Sequence, residues 1–123
     1  YDYIGAPWNW YADDCRVGNG GFSLRSQRLN KILATDEYIK LVNDEYISNF
    51  AEDHNICRIY RCYLEEKYHI RFAPEEIARR FSIEAFKVPP PNNYYVGSFG
   101  FHGKNVRFVG QHVNMDIFNK IKL

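Results

Sequence analysis

The sequence has few cysteines, no block of basic residues and no long apolar run. Its cysteines, Cys15, Cys57 and Cys62, number three, which is odd and cannot form a closed set of disulfides, and no Cys-x-x-Cys spacing indicates zinc or redox chemistry. Apolar runs of a few residues are too short to span a membrane. Sixteen Lys and Arg against fifteen Asp and Glu leave a formal charge of +1. This balance argues against a protein that binds nucleic-acid phosphates.

We therefore expect no nucleic-acid partner and no membrane segment. The thiols are predicted to be buried and reduced, which is typical of the cytoplasm. Apolar residues make up 46% of the 123 residues, enough to build a core. A chain of this length is typical of one compact domain, so we expect a single domain over 1–123.

Short helical and strand patterns alternate along the chain. Ser26 can cap a helix that continues to about residue 34, and Pro74 favours the first turn of a short helix over 74–81. The strongest helical pattern covers 52–68 and places Glu52 and Asp53 in its first turn. The other predicted elements are a strand at 1–4, a turn and strand within 16–25, a strand at 82–87, a proline-rich loop at 88–98 and an amphipathic C-terminal stretch. The predicted fold class is α/β.

Three glycines surround Asn19, at positions 18, 20 and 21. Glycine tolerates positive φ and lets a ligand approach the backbone closely. The segment is neither a Walker loop nor a dinucleotide-binding Gly-x-Gly-x-x-Gly motif. Two interpretations are open at this stage: a loop that borders a ligand, or a hairpin turn with an adjacent bulge.

Acidic and imidazole side chains mark two further places that could carry chemistry. Glu52 and Asp53 could include a general base if they face a cleft, or could simply complement the helix dipole. His54 beside them could be a ligand or a proton partner, or only a hydrogen-bonded histidine. His102, between two glycines, could offer a nitrogen to a metal or could be bonded to backbone.

Taken in order, these blocks resemble a glycosyltransferase-like family related to the GT-A glycosyltransferases. The blocks are Asp-Tyr-Ile-Gly-Ala-Pro-Trp at 2–8, Val-Gly-Asn-Gly-Gly-Phe-Ser-Leu-Arg-Ser at 17–26, the acidic pair at 52–53, Phe-Ser-Ile-Glu at 81–84 and Phe-Gly-Phe-His-Gly at 99–103. The resemblance covers about residues 1–103. It implies a GT-A-like mixed sheet with flanking helices. We expect this chain to be its C-terminal, acceptor-side part, with the Asp-x-Asp half lying upstream of Tyr1.

The resemblance also implies roles for individual residues. Asp53 matches the base that deprotonates an acceptor hydroxyl, and Glu52 matches its neighbour. His102 matches a ligand of Mn²⁺ or Mg²⁺ on the donor diphosphate. The donor-sugar loop corresponds to Asn19, Gly20 and Gly21, and Trp8 is the candidate acceptor platform. The implied partners are a nucleotide-sugar donor and a glycan or protein acceptor, and the implied reaction is an inverting sugar transfer.

Two other classes of function are considered beside this one. A carbohydrate-binding remnant could keep an aromatic groove without catalysis, and the absence of an Asp-x-Asp motif from the chain favours it. A small metal-dependent hydrolase could use Asp53, His54 and His102. The hydrolase is disfavoured because no helix carries two histidines at a ligand spacing.

Overall fold

A computed structural model describes residues 1–8, 10–43, 50–84 and 99–102. The predicted loop at 88–98 and the predicted C-terminal amphipathic stretch lie outside these residues. The described strands are β1 (Tyr3–Pro7), β2 (Val17–Arg25), β3 (Ser82–Glu84) and β4 (Gly100–His102). The described α-helices are α1 (Gln27–Leu33), α2 (Asp36–Val42), α3 (Glu52–His54), α4 (Arg61–Tyr68) and α5 (Glu75–Phe81). The predicted mixed α/β class is confirmed.

The first sheet is an antiparallel pair of β1 and β2, with Tyr3 opposite Arg25 and Pro7 opposite Val17. On its other side β1 forms a parallel bridge from Tyr3 to Phe72. The first strand therefore begins two residues later than predicted and extends through Pro7.

The glycine-rich segment lies inside β2 and does not form the hairpin turn. Ile4 pairs with Leu24 and Ala6 pairs with Asn19, so one β1 residue faces the four β2 residues 20–23. The turn prediction for these glycines is wrong, because residues 8–16 connect the two strands. The predicted bulge is confirmed, and such bulges redirect side chains locally.

The second sheet is a parallel pair in which Ser82 lies opposite Gly100 and Glu84 opposite His102. The strand predicted over 82–87 is confirmed at 82–84, and residues 85–87 lie outside the described part of the chain. His102 is the last described residue of β4, and this pairing fixes its backbone beside β3.

Two helices begin at side-chain caps. The Ser26 hydroxyl accepts a hydrogen bond from the Leu29 amide at 3.0 Å, and the Thr35 hydroxyl accepts one from the Tyr38 amide at 3.3 Å. Such bonds satisfy amide groups that have no partner within the helix. The helix predicted after Ser26 is confirmed.

The helix predicted over 52–68 is divided into three parts. Between α3 and α4, residues Asn55–Ile59 form a π-helical segment, in which the Tyr60 amide donates to the Asn55 carbonyl at 2.9 Å. This wider turn changes the direction of the side chains that follow. Single π turns within helices are common near functional sites.

The core lies between β1, β2 and the helices. Among the described residues, nine buried side chains form its cluster: Tyr3, Trp8, Leu29, Tyr38, Ile56, Cys57, Leu64, Ile70 and Phe72. Cys57 is buried, but Cys15 is half-buried and Cys62 is exposed. The prediction of buried thiols is therefore correct only for Cys57. Within the described residues, no helix has the length and apolar character needed to cross a membrane.

Asp2 connects the start of the chain to two distant segments. One carboxylate oxygen accepts a hydrogen bond from the Ser26 hydroxyl at 2.7 Å, and the other accepts one from the Arg71 amide at 3.0 Å. Burial acts to raise the pKa of Asp2, but these hydrogen bonds outweigh it and leave the pKa below its ordinary value of 3.8. The ionised form is therefore favoured by folding.

We expect Asp2→Asn to lower the free energy of unfolding by about 1–3 kcal/mol at neutral pH, because one hydrogen bond to a buried charge is lost. Since folding depresses the pKa of Asp2, its contribution is present above the unfolded pKa and is lost as pH falls through the folded pKa. Urea unfolding between pH 7 and pH 2 should therefore show a difference from wild type that shrinks below about pH 4. The exposed control Asp14→Asn should change stability by about 0.5 kcal/mol or less.

Candidate functional site

Three distant segments of the chain meet at the glycine bulge of β2. They are the bulge of β2 at Gly20 and Gly21, the first turn of α3 with Glu52 and Asp53, and the end of β4 with His102. We call these five residues the carboxylate–histidine cluster. The structure brings together five of the seven residues predicted as site residues.

Gly20 is in direct contact with the acidic pair. Its amide donates a hydrogen bond to Asp53 Oδ2 at 2.9 Å. A Cβ atom placed on Gly20 would lie 2.9 Å from the Asp53 Cβ and 3.0 Å from each Glu52 carboxylate oxygen. Asp53 Oδ1 also accepts from the His54 amide at 2.7 Å. Two backbone amides therefore fix the orientation of the Asp53 carboxylate.

Gly21 is covered by the imidazole of His102. A Cβ atom on Gly21 would lie only 2.0 Å from His102 Cδ2 and 2.2 Å from Nε2, so only glycine leaves room for the ring. His102 is exposed.

Asn19 and Ser23 hold the bulge in shape. Asn19 is buried, and its side-chain oxygen accepts a hydrogen bond from the Gly21 amide at 3.0 Å. The Ser23 hydroxyl donates to the Gly20 carbonyl at 3.2 Å. Asn19, predicted to bind substrate, is thus placed beneath the bulge, where its side chain supports Gly21.

Glu52 forms an ion pair with Arg25 of β2. The Glu52 side chain is 61% exposed, whereas that of Arg25 is 22% exposed. Burial acts to lower the pKa of Arg25, but the bond to Glu52 outweighs it and the pKa is raised. Arg25 was not predicted as part of the site, because its partner is distant in sequence and nothing local indicates the contact.

Trp8 lies in the core beside the cluster. It is 4% exposed, and a Cβ atom on Gly18 would lie 2.4 Å from two of its ring carbons. A sugar platform must present a ring face to solvent. The burial of Trp8 therefore argues against its predicted role as an acceptor platform.

Three phenylalanines form an aromatic group next to the cluster. The Phe22 and Phe81 rings stack with centroids 5.3 Å apart, and the centroids of Phe81 and Phe99 are 6.2 Å apart. Phe99 is 83% exposed and lies three residues before His102. This aromatic surface could not be predicted from composition, which does not distinguish exposed rings from buried ones.

His54 is packed among aromatic rings. Its ring stacks on Phe50 with centroids 5.4 Å apart, and its Nε2 lies 3.5 Å from the Tyr11 hydroxyl. Its ring centroid is 5.7 Å from that of Trp8. These contacts favour the structural interpretation of His54 over a role as metal ligand.

The described residues do not form a complete protein site for a divalent cation. In the described part of the chain, no group of three or more His, Cys, Asp or Glu side chains is arranged to hold a metal ion. His102 has an imidazole of a suitable type at an exposed position. The cluster therefore fits a cation only if a bound substrate supplies most of the ligands.

The family model described as "Protein of unknown function (DUF5672)" matches residues 1–102. The chain therefore belongs to this family, and the matched region includes every member of the carboxylate–histidine cluster. No curated protein and no solved structure gives a significant match to the chain.

Proposed function

We propose that this member of the DUF5672 family is a glycosyltransferase. It would transfer a sugar from a nucleotide-sugar donor to a hydroxyl group of a glycan or protein, with inversion at the anomeric carbon. The observation that carries the proposal is the contact of the glycine bulge with Asp53 on one side and His102 on the other. Those are the residue types, in the order, that the resemblance to GT-A glycosyltransferases implies.

Asp53 is proposed as the general base. Its carboxylate takes the proton of the acceptor hydroxyl while the acceptor oxygen forms a bond to the anomeric carbon of the donor. The bond from that carbon to the nucleotide diphosphate breaks, and the diphosphate leaves with the electron pair. The amides of Gly20 and His54 orient the carboxylate, and each carboxylate oxygen keeps a further lone pair for the incoming proton.

Gly20 and Gly21 are proposed to border the donor sugar through their backbone, as the resemblance implies, since Glu52, Asp53 and the His102 ring fill the space where their side chains would lie. His102 is proposed as the protein ligand of Mn²⁺ or Mg²⁺. Such a cation, when bound, stabilises negative charge on a leaving diphosphate. The ion pair of Arg25 and Glu52 would hold the acidic turn against β2.

We expect Asp53→Asn to lower the rate of sugar transfer by about 100-fold or more, because a general base contributes on the order of 10²–10⁴. The assay measures nucleotide diphosphate release from a panel of nucleotide sugars, with a mixed panel of hydroxyl acceptors and with Mn²⁺, Mg²⁺ or chelator. Asp36→Asn, in the first turn of α2, is the matched control and should keep wild-type activity. Equal rates for Asp53→Asn and wild type would contradict the role of Asp53.

A carbohydrate-binding module without catalysis is the second candidate. It is favoured by the exposed Phe99 ring and by the lack of a three-ligand metal group among the described residues. This candidate predicts saturable sugar binding that needs neither nucleotide nor metal and that Asp53→Asn leaves unchanged. Donor turnover by the wild-type chain that Asp53→Asn abolishes would exclude it.

A further inference from the structure

A cleft of about 320 Å³ lies between the start of β2, the first residue of α4 and the residues that lead into α5. Its described lining is Asp14, Arg16, Val17, Arg61, Phe72, Ala73, Pro74 and Glu75. Ligand pockets in proteins have volumes from about 300 Å³ upward, so this cleft has room for a small molecule. None of these lining residues belongs to the carboxylate–histidine cluster.

Apolar residues form one wall of the cleft. Val17, Phe72 and Ala73 are buried, and Pro74 is exposed beside them. The Arg61 guanidinium stacks on the Phe72 ring, with 4.6 Å between its Cζ atom and the ring centroid. Because the Phe72 ring is packed in the core, this contact holds the guanidinium at the edge of the apolar wall.

Arg61 brings a partly satisfied cation to the cleft. Its Nε donates to Glu65 at 3.0 Å, and its side chain is 13% exposed. Its Nη1 is buried and has no surface that a ligand could reach. The nitrogen that can meet a ligand in the cleft is therefore Nη2. The other cation of the lining, Arg16, forms an ion pair with Glu75.

Asp14 brings a negative charge to the same cleft. It is exposed and forms no ion pair with any residue that the structure describes. The described charged groups of the lining and their direct ion-pair partners comprise three cations and three anions: Arg16, Arg61, Arg79, Asp14, Glu65 and Glu75. Since these charges balance, a ligand with a net charge would leave one charge without compensation. A ligand with one positive and one negative group keeps the balance.

We propose that this cleft binds a small zwitterion with an apolar substituent, an α-amino acid of about the size of leucine. Its carboxylate would accept from Nη2 of Arg61, because guanidinium is well suited to carboxylate. Its ammonium group would donate to the Asp14 carboxylate, and its side chain would lie against Phe72 and Pro74. The proposal does not depend on the proposed transferase activity, because the two sites share no residue.

The test is an NMR titration of the full chain with L-leucine. We expect saturable shifts of the Val17 methyl signals and the Phe72 ring signals. Isoamylamine, which is leucine without the carboxylate, should bind about tenfold more weakly or worse, because a charged hydrogen bond to Arg61 is lost. Glycine, which lacks the apolar side chain, should also bind about tenfold more weakly or worse.

Asp14→Asn should weaken L-leucine binding about fivefold, which is the upper range for an ion pair at an exposed position. Isocaproate, which is leucine without the ammonium group, should bind wild type and Asp14→Asn equally. Asp36→Asn, in α2 and outside the cleft, is the matched control and should bind L-leucine like wild type. The proposal would be overturned by an absence of saturable shifts with L-leucine, by equal affinity for L-leucine and isoamylamine, or by equal L-leucine affinity of Asp14→Asn and wild type.

Discussion

Gly18→Ala should lower the free energy of unfolding by about 3 kcal/mol, at the upper end of the usual cost of overpacking a core. The added Cβ would lie 2.4 Å from two ring carbons of Trp8 and 2.7 Å from the Cβ of Cys57. The Cys57 Cβ is fixed by the backbone of the π-helical segment, so neither neighbour can yield freely. A loss of this size should lower the melting temperature by about 10 °C or more, measured by circular dichroism.

A double-mutant cycle separates this contact from a general effect on β2. In a Trp8→Leu background the added methyl group meets a smaller side chain, so Gly18→Ala should cost at least about 1 kcal/mol less than in wild type. Leu24→Ala, at an exposed position of the same strand, is the control and should change stability by about 0.5 kcal/mol or less. Additive costs for Gly18→Ala and Trp8→Leu would contradict the proposed clash.

Local features of the fold could be predicted from the sequence because their causes are local. Ser26 caps α1 through a hydroxyl three residues before Leu29, and Pro74 immediately precedes α5. Glu52 and Asp53 stand in the first turn of α3 as predicted. In each case the residues at the start of the helix themselves favour a helix start at that position.

The misassigned elements depend on contacts between distant residues. The sequence around Gly20 is typical of a turn, but in the structure β1 pairs with β2 on both sides of Gly20, which therefore lies in a bulge. The π-helical segment begins at Asn55, and its residues Ile56 and Cys57 pack in the core against residues that are distant in sequence. Trp8 and Phe99 are chemically alike, and only the fold buries one and exposes the other.

The candidate site likewise combines features that the sequence could predict with contacts between distant residues that it could not. Asp53 lies 33 positions from Gly20 along the chain, and His102 comes from a different sheet. The order of motifs could indicate these residues as candidate site residues, but no spacing in the sequence could predict that Gly20 donates to Asp53. Arg25 could not be predicted as part of the candidate site for the same reason, because its ion pair with Glu52 joins residues that are distant in sequence.

The His102 imidazole can occupy its position only because Gly21 has no side chain. In Gly21→Ala the new Cβ would lie 2.0–2.4 Å from three ring atoms. The ring must then move by about 1 Å or more to restore ordinary van der Waals separation. His102 is exposed and is the last residue of the three-residue strand β4, so we expect the displacement to be local.

Gly21→Ala is therefore expected to lower the proposed transfer activity by about 100-fold, because a misplacement of 1 Å in a catalytic group can cost about that much. The imidazole NMR signals of His102 should shift in the same variant, which tests the displacement without any assay of activity. In a His102→Ala background the added methyl group has no ring to displace, so Gly21→Ala should cost little further activity. A second hundredfold loss in that background would mean that Gly21 acts through something other than His102.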